Sequence, residues 1–548
     1  MSFKDKVVYQ IYPKSFADSN GDGFGDIQGV ISKLDYLKEL GIDYIWFNPM
    51  TISPQRDGGY DVANYREFDP RYGTMEDFEE LSRECAKRNI NIMFDMVFNH
   101  TSTEHEWFKK AMAGDEYYKN FYIFKKGKAK GVPPTNWQSK FGGSAWEYVE
   151  RYDEWYLHLF DVTQADLNWE NPAVREEMAK IINYWRDKGV HGFRFDVINL
   201  ISKRGYEDDP NNFDGRQFYT DGPRVHEYLK ELNKRSFGQD MDGLTVGELS
   251  SATLENVYHY SGEDQHELNT VFTFHHLKVD YKDKKKWHVQ PFDFHELKDL
   301  FITWQEGLQE HDSWPALFWN CHDQPRSLSR FGDDKNYPLE SGKMLATAIH
   351  MMRGVPYIYM GEEIGMTNGN FKTLDEYRDV ESLNAYKILK KKGMSEEEVM
   401  HALSCHSRDN ARTPICWDDS ENAGFTDGTP WIRVNPNYKD INVKKALADK
   451  NSLFYHYQKL IKLRKTYKVI QEGKFVPLLK DDDAIFAYKR ETDDEELIVI
   501  NNFYGKEAKA HIDLNGDYTI LLSNYKDTEI TEDLDLRPYE SYILYRQR

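Results

Sequence analysis

The chain has 548 residues, too many for one ordinary domain but within the reach of a large α/β barrel with additions. Its 71 Lys and Arg against 92 Asp and Glu leave a net charge of −21, which argues against nucleic acid and anionic membrane as partners. Four cysteines (Cys85, Cys321, Cys405 and Cys416) show no paired ligand spacing, so neither a zinc site nor a disulfide framework is indicated.

From the start of the chain, MSFKDKVVYQIYPKSF lacks the basic-then-apolar build of a signal peptide, and no later apolar run reaches membrane-spanning length. A reduced, cytoplasmic, monomeric enzyme is the expectation. Eight strand-like runs follow one another: VVYQIYP, IDYIWFNP, INIMFDMVFNH, HGFRFDVI, LTVGEL, NTVFTF, PALFWNC and VPYIYMGEE. Amphipathic stretches such as ISKLDYLKEL, MEDFEELSRECAKR, VREEMAKIINYWRDK, FHELKDLFITWQEGL and SGKMLATAIHMM alternate with them. Strand and helix in eightfold alternation predict a (β/α)8 TIM barrel.

Two parts break the alternation. A segment at 101–168, rich in Tyr, Trp, Lys and Gly, separates the third strand from its helix and predicts an inserted subdomain beside the pocket mouth. From 472 onward the runs KFVPLL, AIFAYKRE, EELIVINNF, YTILLSN and SYILYRQ alternate with turns, which predicts a C-terminal antiparallel β-sandwich. The expected domains are therefore a barrel at 1–100 and 169–471, an insertion at 101–168 and a sandwich at 472–548.

Three acids stand at the ends of apolar runs: Asp196 in GVHGFRFDVINL, Glu248 in LTVGEL and Asp323 in ALFWNCHDQPR. Carboxylates at the C-terminal ends of several barrel strands surround one pocket. Hydrolysis of a sugar acetal needs two such groups, one to attack or activate water and one to protonate the leaving oxygen. Arg194 lies two residues before Asp196, on the same strand face, and would keep it ionised. Glu248 closes an apolar strand, where desolvation would raise its pKa and suit it as the acid. Taken singly, the alternatives are an ordinary inward salt bridge for Arg194 and Asp196 and a solvent-facing strand end for Glu248.

The segments DMVFNH, GFRFDVINL, TVGEL and HDQPR, in this order, resemble the motifs of the α-amylase superfamily, glycoside hydrolase family 13, and QADLNW resembles the further motif of its oligo-1,6-glucosidase branch. The resemblance implies a retaining mechanism with Asp196 as nucleophile, Glu248 as general acid/base and Asp323 holding the distorted sugar. It likewise implies Tyr60, His100, Arg194 and His322 around the first glucose, with Asp61 and Arg412 clamping its far edge to make an exo-acting glucosidase. In the family, Val197 after the nucleophile marks enzymes that do not prefer α-1,4 links. HHLKVDY, the lysines before Trp287 and YIYMGEEIGMTN look most like the branch that acts on a phosphorylated disaccharide. An acidic protein needs a local cationic patch to receive such a substrate, and LKVDYKDKKKWHVQ supplies one, with Lys278 and Lys286 as first candidates. A solvated basic loop is the alternative. An oligo-1,6-glucosidase and a non-catalytic sugar-binding or transporter-associated relative are the other functions to separate.

The chain departs from the family at Cys321, where Asn is usual, at Ala165 for Pro and at Met360 for Gln. Asn320, one place earlier, faces the wrong way to substitute. In DSNGDGFGD, Asp18, Asn20, Asp22 and Asp26 alternate with other residues as in the first half of a calcium loop, and similar loops in the family hold one structural Ca2+. A plain Asp/Gly turn is the alternative. No cofactor is expected to take part in catalysis.

Overall fold

A computed structural model describes residues 3–211, 214–240 and 243–548. Eight parallel strands form the centre: β1 (Val8–Ile11), β2 (Tyr44–Phe47), β3 (Asn91–Met96), β4 (Val190–Phe195), β5 (Leu244–Glu248), β6 (Thr270–Phe272), β7 (Ala316–Leu317) and β8 (Val355–Tyr359). Their hydrogen-bonded order is β6-β5-β4-β3-β2-β1-β8-β7. A parallel bridge between Val271 and Pro315 joins the two ends, with the Val271 N–H donating to the Trp314 carbonyl at 3.2 Å. The sheet thus closes into the expected barrel. Strands covered on both faces read as continuous apolar runs, and every residue of β1, β2, β5 and β8 is buried.

β7 is shorter than PALFWNC suggests. The chain leaves the ladder after Leu317, so Asp323 sits on a loop six positions beyond a strand end rather than on one. The helices Met75–Lys87, Pro172–Arg186, Phe294–Glu310 and Pro338–His350 pack around the barrel. Met75–Lys87 begins with a full capping box between Thr74 and Asp77.

The insertion after β3 leaves and returns on one pair of antiparallel strands, His100–Ser102 with Gln164–Asp166. This register sets Asp166 against His100, so the QADLNW segment is the insertion's return strand, carried back to the barrel mouth. Trp137, Trp146, Leu157 and Leu159 form a small core there, shared with Val197 and Leu200 just past β4. A second excursion follows β8. It contains the helix pair Val380–Lys391 and Glu396–His406, which packs around Phe371, Tyr377, Leu389 and Leu403 and against Trp287. No pattern in the sequence singled out this excursion.

At the C-terminus five antiparallel strands run in the order Lys474–Leu478, Ile485–Glu491, Glu495–Asn502, Ser541–Gln547, Thr519–Ser523. One face, with Phe486, Tyr488, Val499 and Ile543, joins the barrel core. The other, with Ile485, Ala487, Ile498, Ile500 and Leu544, is covered by a ribbon of Ala508–His511 and Asp533–Leu536. Alternate side chains therefore serve two cores, the period-two logic of a strand.

Candidate active site

Arg194 organises the pocket. It projects from the end of β4 with 1% of its surface exposed, and it gathers acids from three neighbouring strands. Its Nη1 donates to Asp95 Oδ1 at 2.6 Å and to Asp196 Oδ1 at 2.8 Å, and its Nη2 donates to Glu248. One guanidinium thus holds Asp196 and Glu248 together on one side of the same pocket. Asp95, on β3, went unremarked in the sequence, although its place in INIMFDMV alternates with apolar residues; it also accepts from the Tyr60 hydroxyl at 2.8 Å.

The acids are held at different levels. Burial raises Glu248 to about 8; Arg194 opposes this, and Asp196 and Asp323 add to it. Burial raises Asp196 to about 6, with Arg194 as the main counterweight. Asp323 goes the other way. Its burial alone would raise it, but His322, Arg408 and Arg412 outweigh that and hold it well below the usual carboxylate range. Near neutral pH the set therefore carries a proton on Glu248 and negative charge on Asp196 and Asp323. Immediately after Asp196 the backbone is strained: Val197 has φ of +36°, a region that β-branched residues rarely enter.

His322 is placed by four neighbours. Gln10 Nε2 and Asn48 Nδ2 approach its Nδ1 at 2.9 and 3.2 Å, so Nδ1 is the accepting nitrogen and Nε2 carries the hydrogen. Tyr60 stacks on the ring at 5.1 Å, and Tyr12 lies beyond it at 6.2 Å. Nε2 is 3.1 Å from Asp323 Oδ2 and, among the described residues, has no well-aligned acceptor, which leaves a buried donor for a sugar hydroxyl. His100 is buried, and burial lowers it to about 4, so it is neutral. Its Nε2 is 3.1 Å from the Tyr60 carbonyl.

Arg412 donates to the His322 carbonyl at 2.9 Å and to Asp323 Oδ1 at 3.1 Å. Asp61, expected to clamp with it, lies elsewhere. Its carboxylate accepts from Ser53 Oγ at 2.9 Å and from the N–H groups of Arg56 and Asp57 at 3.0 and 3.2 Å, tying down the turn before it. The acid facing the arginines at that edge is Asp57, 3.3 Å from Arg408. Arg408 itself escaped the sequence reading; it also reaches Asp323 at 3.1 Å and Asp379 at 2.6 Å. The SRDNARTP segment placed two arginines a helical turn apart, which was the signal available.

Cys321 is buried, and its sulfur accepts from the Asp323 N–H at 3.4 Å. Asn320 points away, accepting from the Ser327 N–H at 2.6 Å and donating to Ser327 Oγ at 2.9 Å. The neighbouring amide therefore does not stand in for the usual asparagine.

The basic run divides in two. Lys282, Lys284 and Lys285 are solvated, and Lys284 pairs with Glu296. Lys286 is largely buried and its Nζ is 2.6 Å from Glu381; burial would lower it, but Glu381 overrides this and raises it. Lys278 is reached by solvent, yet it stands among cations. Burial, then Arg216 and Lys286, lower it, and Glu248 partly compensates. Lys140, from the insertion, joins the group: its Nζ donates to Ser250 Oγ at 3.1 Å, and burial, Arg216 and Lys278 lower it to about 8. Neither Lys140 nor Arg216 could be placed beside Lys278 from sequence, because each comes from a different loop.

The Asp18–Asp26 loop is held by its own backbone. Asp18 accepts from the N–H groups of Asn20, Gly21 and Gly23 at 3.0, 2.9 and 2.8 Å. Asn20 and Asp22 each accept from the second residue on, and Asp26 caps the helix Ile27–Ser32 through Gly29 while holding Ser19. The donor set is all oxygen, as a hard cation requires, but among the described residues no three His, Cys, Asp or Glu side chains are gathered to hold a metal. The loop derives no catalytic role from this geometry.

At the opposite end of the barrel an open cleft of about 760 Å3 is lined by Lys6, Asp43, Asn91, Thr245 and Asn269, without any of the three acids. The chemistry belongs to the C-terminal ends of the strands.

Known proteins resemble this chain over its whole length. The family described as "Alpha amylase, catalytic domain" matches residues 10–473, and "Alpha-amylase SusG C-terminal domain" matches residues 485–543. A trehalose-6-phosphate hydrolase of Bacillus subtilis is 54% identical over 99% of this chain and 98% of its own length. An oligo-1,6-glucosidase of Halalkalibacterium halodurans is 48% identical over the same shares. The crystal structure of Bacillus licheniformis trehalose-6-phosphate hydrolase (TreA) superposes with a TM-score of 0.96 at 52% identity, covering all of both chains.

Proposed function

The chain belongs to the α-amylase family of glycoside hydrolases, and from that premise we propose that it is a retaining, exo-acting α-glucosidase that hydrolyses trehalose 6-phosphate to glucose and glucose 6-phosphate. The observation that carries the chemistry is the single Arg194 guanidinium joining Asp196 and Glu248. Asp196, ionised near neutral pH, attacks the anomeric carbon while Glu248 donates its proton to the bridging oxygen, releasing glucose 6-phosphate and leaving a glycosyl ester on Asp196. Glu248, now a carboxylate, takes a proton from water, which displaces Asp196 and frees glucose with its anomeric configuration kept. Asp323, ionised under Arg408 and Arg412, and the His322 Nε2 donor grip the hydroxyls of the distorted sugar.

The choice of a phosphorylated substrate rests on Lys278. It is a lysine with solvent access beside Glu248, among Lys140, Arg216 and Lys286, in a protein whose net charge would otherwise repel phosphate. We also infer a cytoplasmic, monomeric enzyme. Four free thiols suit a reducing compartment, and among the described residues no helix is long and apolar enough to cross a membrane. A structural Ca2+ in the Asp18–Asp26 loop is proposed on its oxygen donors alone.

Glucose release from trehalose 6-phosphate, trehalose and isomaltose at equal concentration tests the reading. Strong preference for the phosphorylated sugar is expected. Preference for isomaltose would keep the mechanism and transfer the chain to the oligo-1,6-glucosidase activity of its 48% relative.

A further inference from the structure

Of the two lysines proposed to meet the phosphate, one is already neutralised. Lys286 Nζ lies 2.6 Å from Glu381 Oε2, both side chains being about four-fifths buried, at 19% and 22% exposure. The same carboxylate oxygen is 3.4 Å from Arg408 Nε. The terminal nitrogens of Arg408 hold Asp379 at 2.6 Å, Asp57 at 3.3 Å and Asp323 at 3.1 Å. Glu381 thus stands between Lys286, a proposed phosphate contact, and Arg408, the cation that holds Asp323.

Nothing in the local helix requires this. Glu381 is the second residue of Val380–Lys391, and the cap is supplied by Asp379, which accepts from the N–H groups of Glu381 and Ser382 at 3.3 and 3.0 Å. A first-turn acid ordinarily serves the helix end from the surface. Here the side chain turns inward to two cations.

Resting on the phosphorylated-disaccharide reading, we propose that Glu381 tunes the outer sugar site, holding Lys286 until a phosphate dianion competes for it and so limiting how tightly the charged sugar and its phosphorylated product are bound. A sugar hydroxyl is a weaker acceptor than a carboxylate and cannot take Lys286 from Glu381. A dianion that also meets Lys278 can. Once Lys286 turns to phosphate, Glu381 is left to Arg408 alone, so the clamp on Asp323 responds to the charge of the distant sugar. The same carboxylate competes for Lys286 when glucose 6-phosphate is the product, and this hastens its departure.

The test uses the full chain and inhibition of p-nitrophenyl α-glucoside hydrolysis by glucose 6-phosphate and by glucose, read as the ratio of the two inhibition constants. Glu381→Gln is expected to tighten glucose 6-phosphate relative to glucose by about fivefold, the scale of one partly screened ion pair. Glu381→Asp, which retains the charge, should return the ratio toward wild type, and adding Lys286→Ala to Glu381→Gln should abolish the gain. A general loosening of the site would move both inhibitors alike. If Lys286→Ala weakens glucose 6-phosphate while Glu381→Gln leaves the ratio unchanged or lowers it, the substrate reading stands and the role of Glu381 is refuted. If wild-type enzyme binds glucose and glucose 6-phosphate equally, the phosphorylated-substrate reading itself fails, and this proposal with it.

Discussion

Replacing Lys278 by alanine separates phosphate recognition from catalysis. Among the described residues Lys278 makes no ion pair; Arg216 and Lys286 repel its charge, and Glu248 attracts it. A charge-assisted bond from such a lysine to phosphate contributes about 1.5–3 kcal/mol. Because Lys278 is open to solvent, the lower end applies, about 1.5 kcal/mol, or roughly a tenfold change in binding. Lys286→Ala should cost less, because binding phosphate there first requires breaking the 2.6 Å pair with Glu381. The expected result for Lys278→Ala is therefore a KM for trehalose 6-phosphate raised about tenfold. The KM for p-nitrophenyl α-glucoside should change much less. Steady-state kinetics on the two substrates, with kcat and KM separated, is the assay. An equal loss on both substrates would refute the reasoning, since Lys278 would then be acting through Glu248 and not through phosphate. A larger effect from Lys286→Ala would place the principal phosphate contact on the lysine that Glu381 holds.

The pH profile of kcat/KM should be bell-shaped, with limbs near the values assigned to Asp196 and Glu248, about 6 and about 8. Activity falls as pH drops through the lower value because the nucleophile gains a proton, and falls as pH rises through the upper one because the acid loses its own. The limbs belong to the interacting set rather than to single residues, so Asp95→Asn should move both. Glu248→Gln should lower turnover of trehalose 6-phosphate by roughly 100-fold to 10,000-fold. It should spare formation of the glycosyl ester from α-glucosyl fluoride, whose leaving group needs little protonation; loss of that burst as well would remove Glu248 from the acid role. Addition of Ca2+ should raise the melting temperature, and chelation should lower it without changing kcat at temperatures where the enzyme stays folded. An unchanged melting curve would make the Asp18–Asp26 loop a turn sustained by its own hydrogen bonds.

The placement of the candidate acids was legible because barrel topology makes their position one-dimensional. A residue at the C-terminal end of a buried parallel strand faces the pocket wherever that strand stands in the ring. Asp196 and Glu248 follow this rule, and Arg194 follows from it by the two-residue period. Asp323 was read as a third strand-end acid, but its strand ends at Leu317 and a loop delivers it. Asp61 shows the limit of transfer by motif. The GGYD turn is recognisable, but which of its two acids meets an arginine depends on how the turn is pinned: Ser53 holds Asp61 inward, and Asp57 takes the arginine.

Substrate choice was less legible because its residues arrive from separate excursions. Lys140 comes from the insertion after β3, Arg216 from the loop after β4, Lys278 and Lys286 from the loop after β6, and Glu381 with Arg408 from the helices after β8. The insertion shares a small core with the chain after β4, and the excursion after β8 shares one with Trp287 of the loop after β6, so their placement over the pocket follows from tertiary packing that no local period encodes. In the basic run the charges that look alike in sequence are unlike in space: Lys282 and Lys285 are solvated, Lys286 is neutralised, and Lys278 stands apart from them on the side of Glu248. Barrel strands fix the acetal chemistry, so changing the partners of these loop cations is the physically economical route between a phosphorylated and an unphosphorylated leaving sugar. Within such a family, a relative with the same triad and a different carboxylate near Lys286 should then differ in KM for the charged substrate before it differs in kcat.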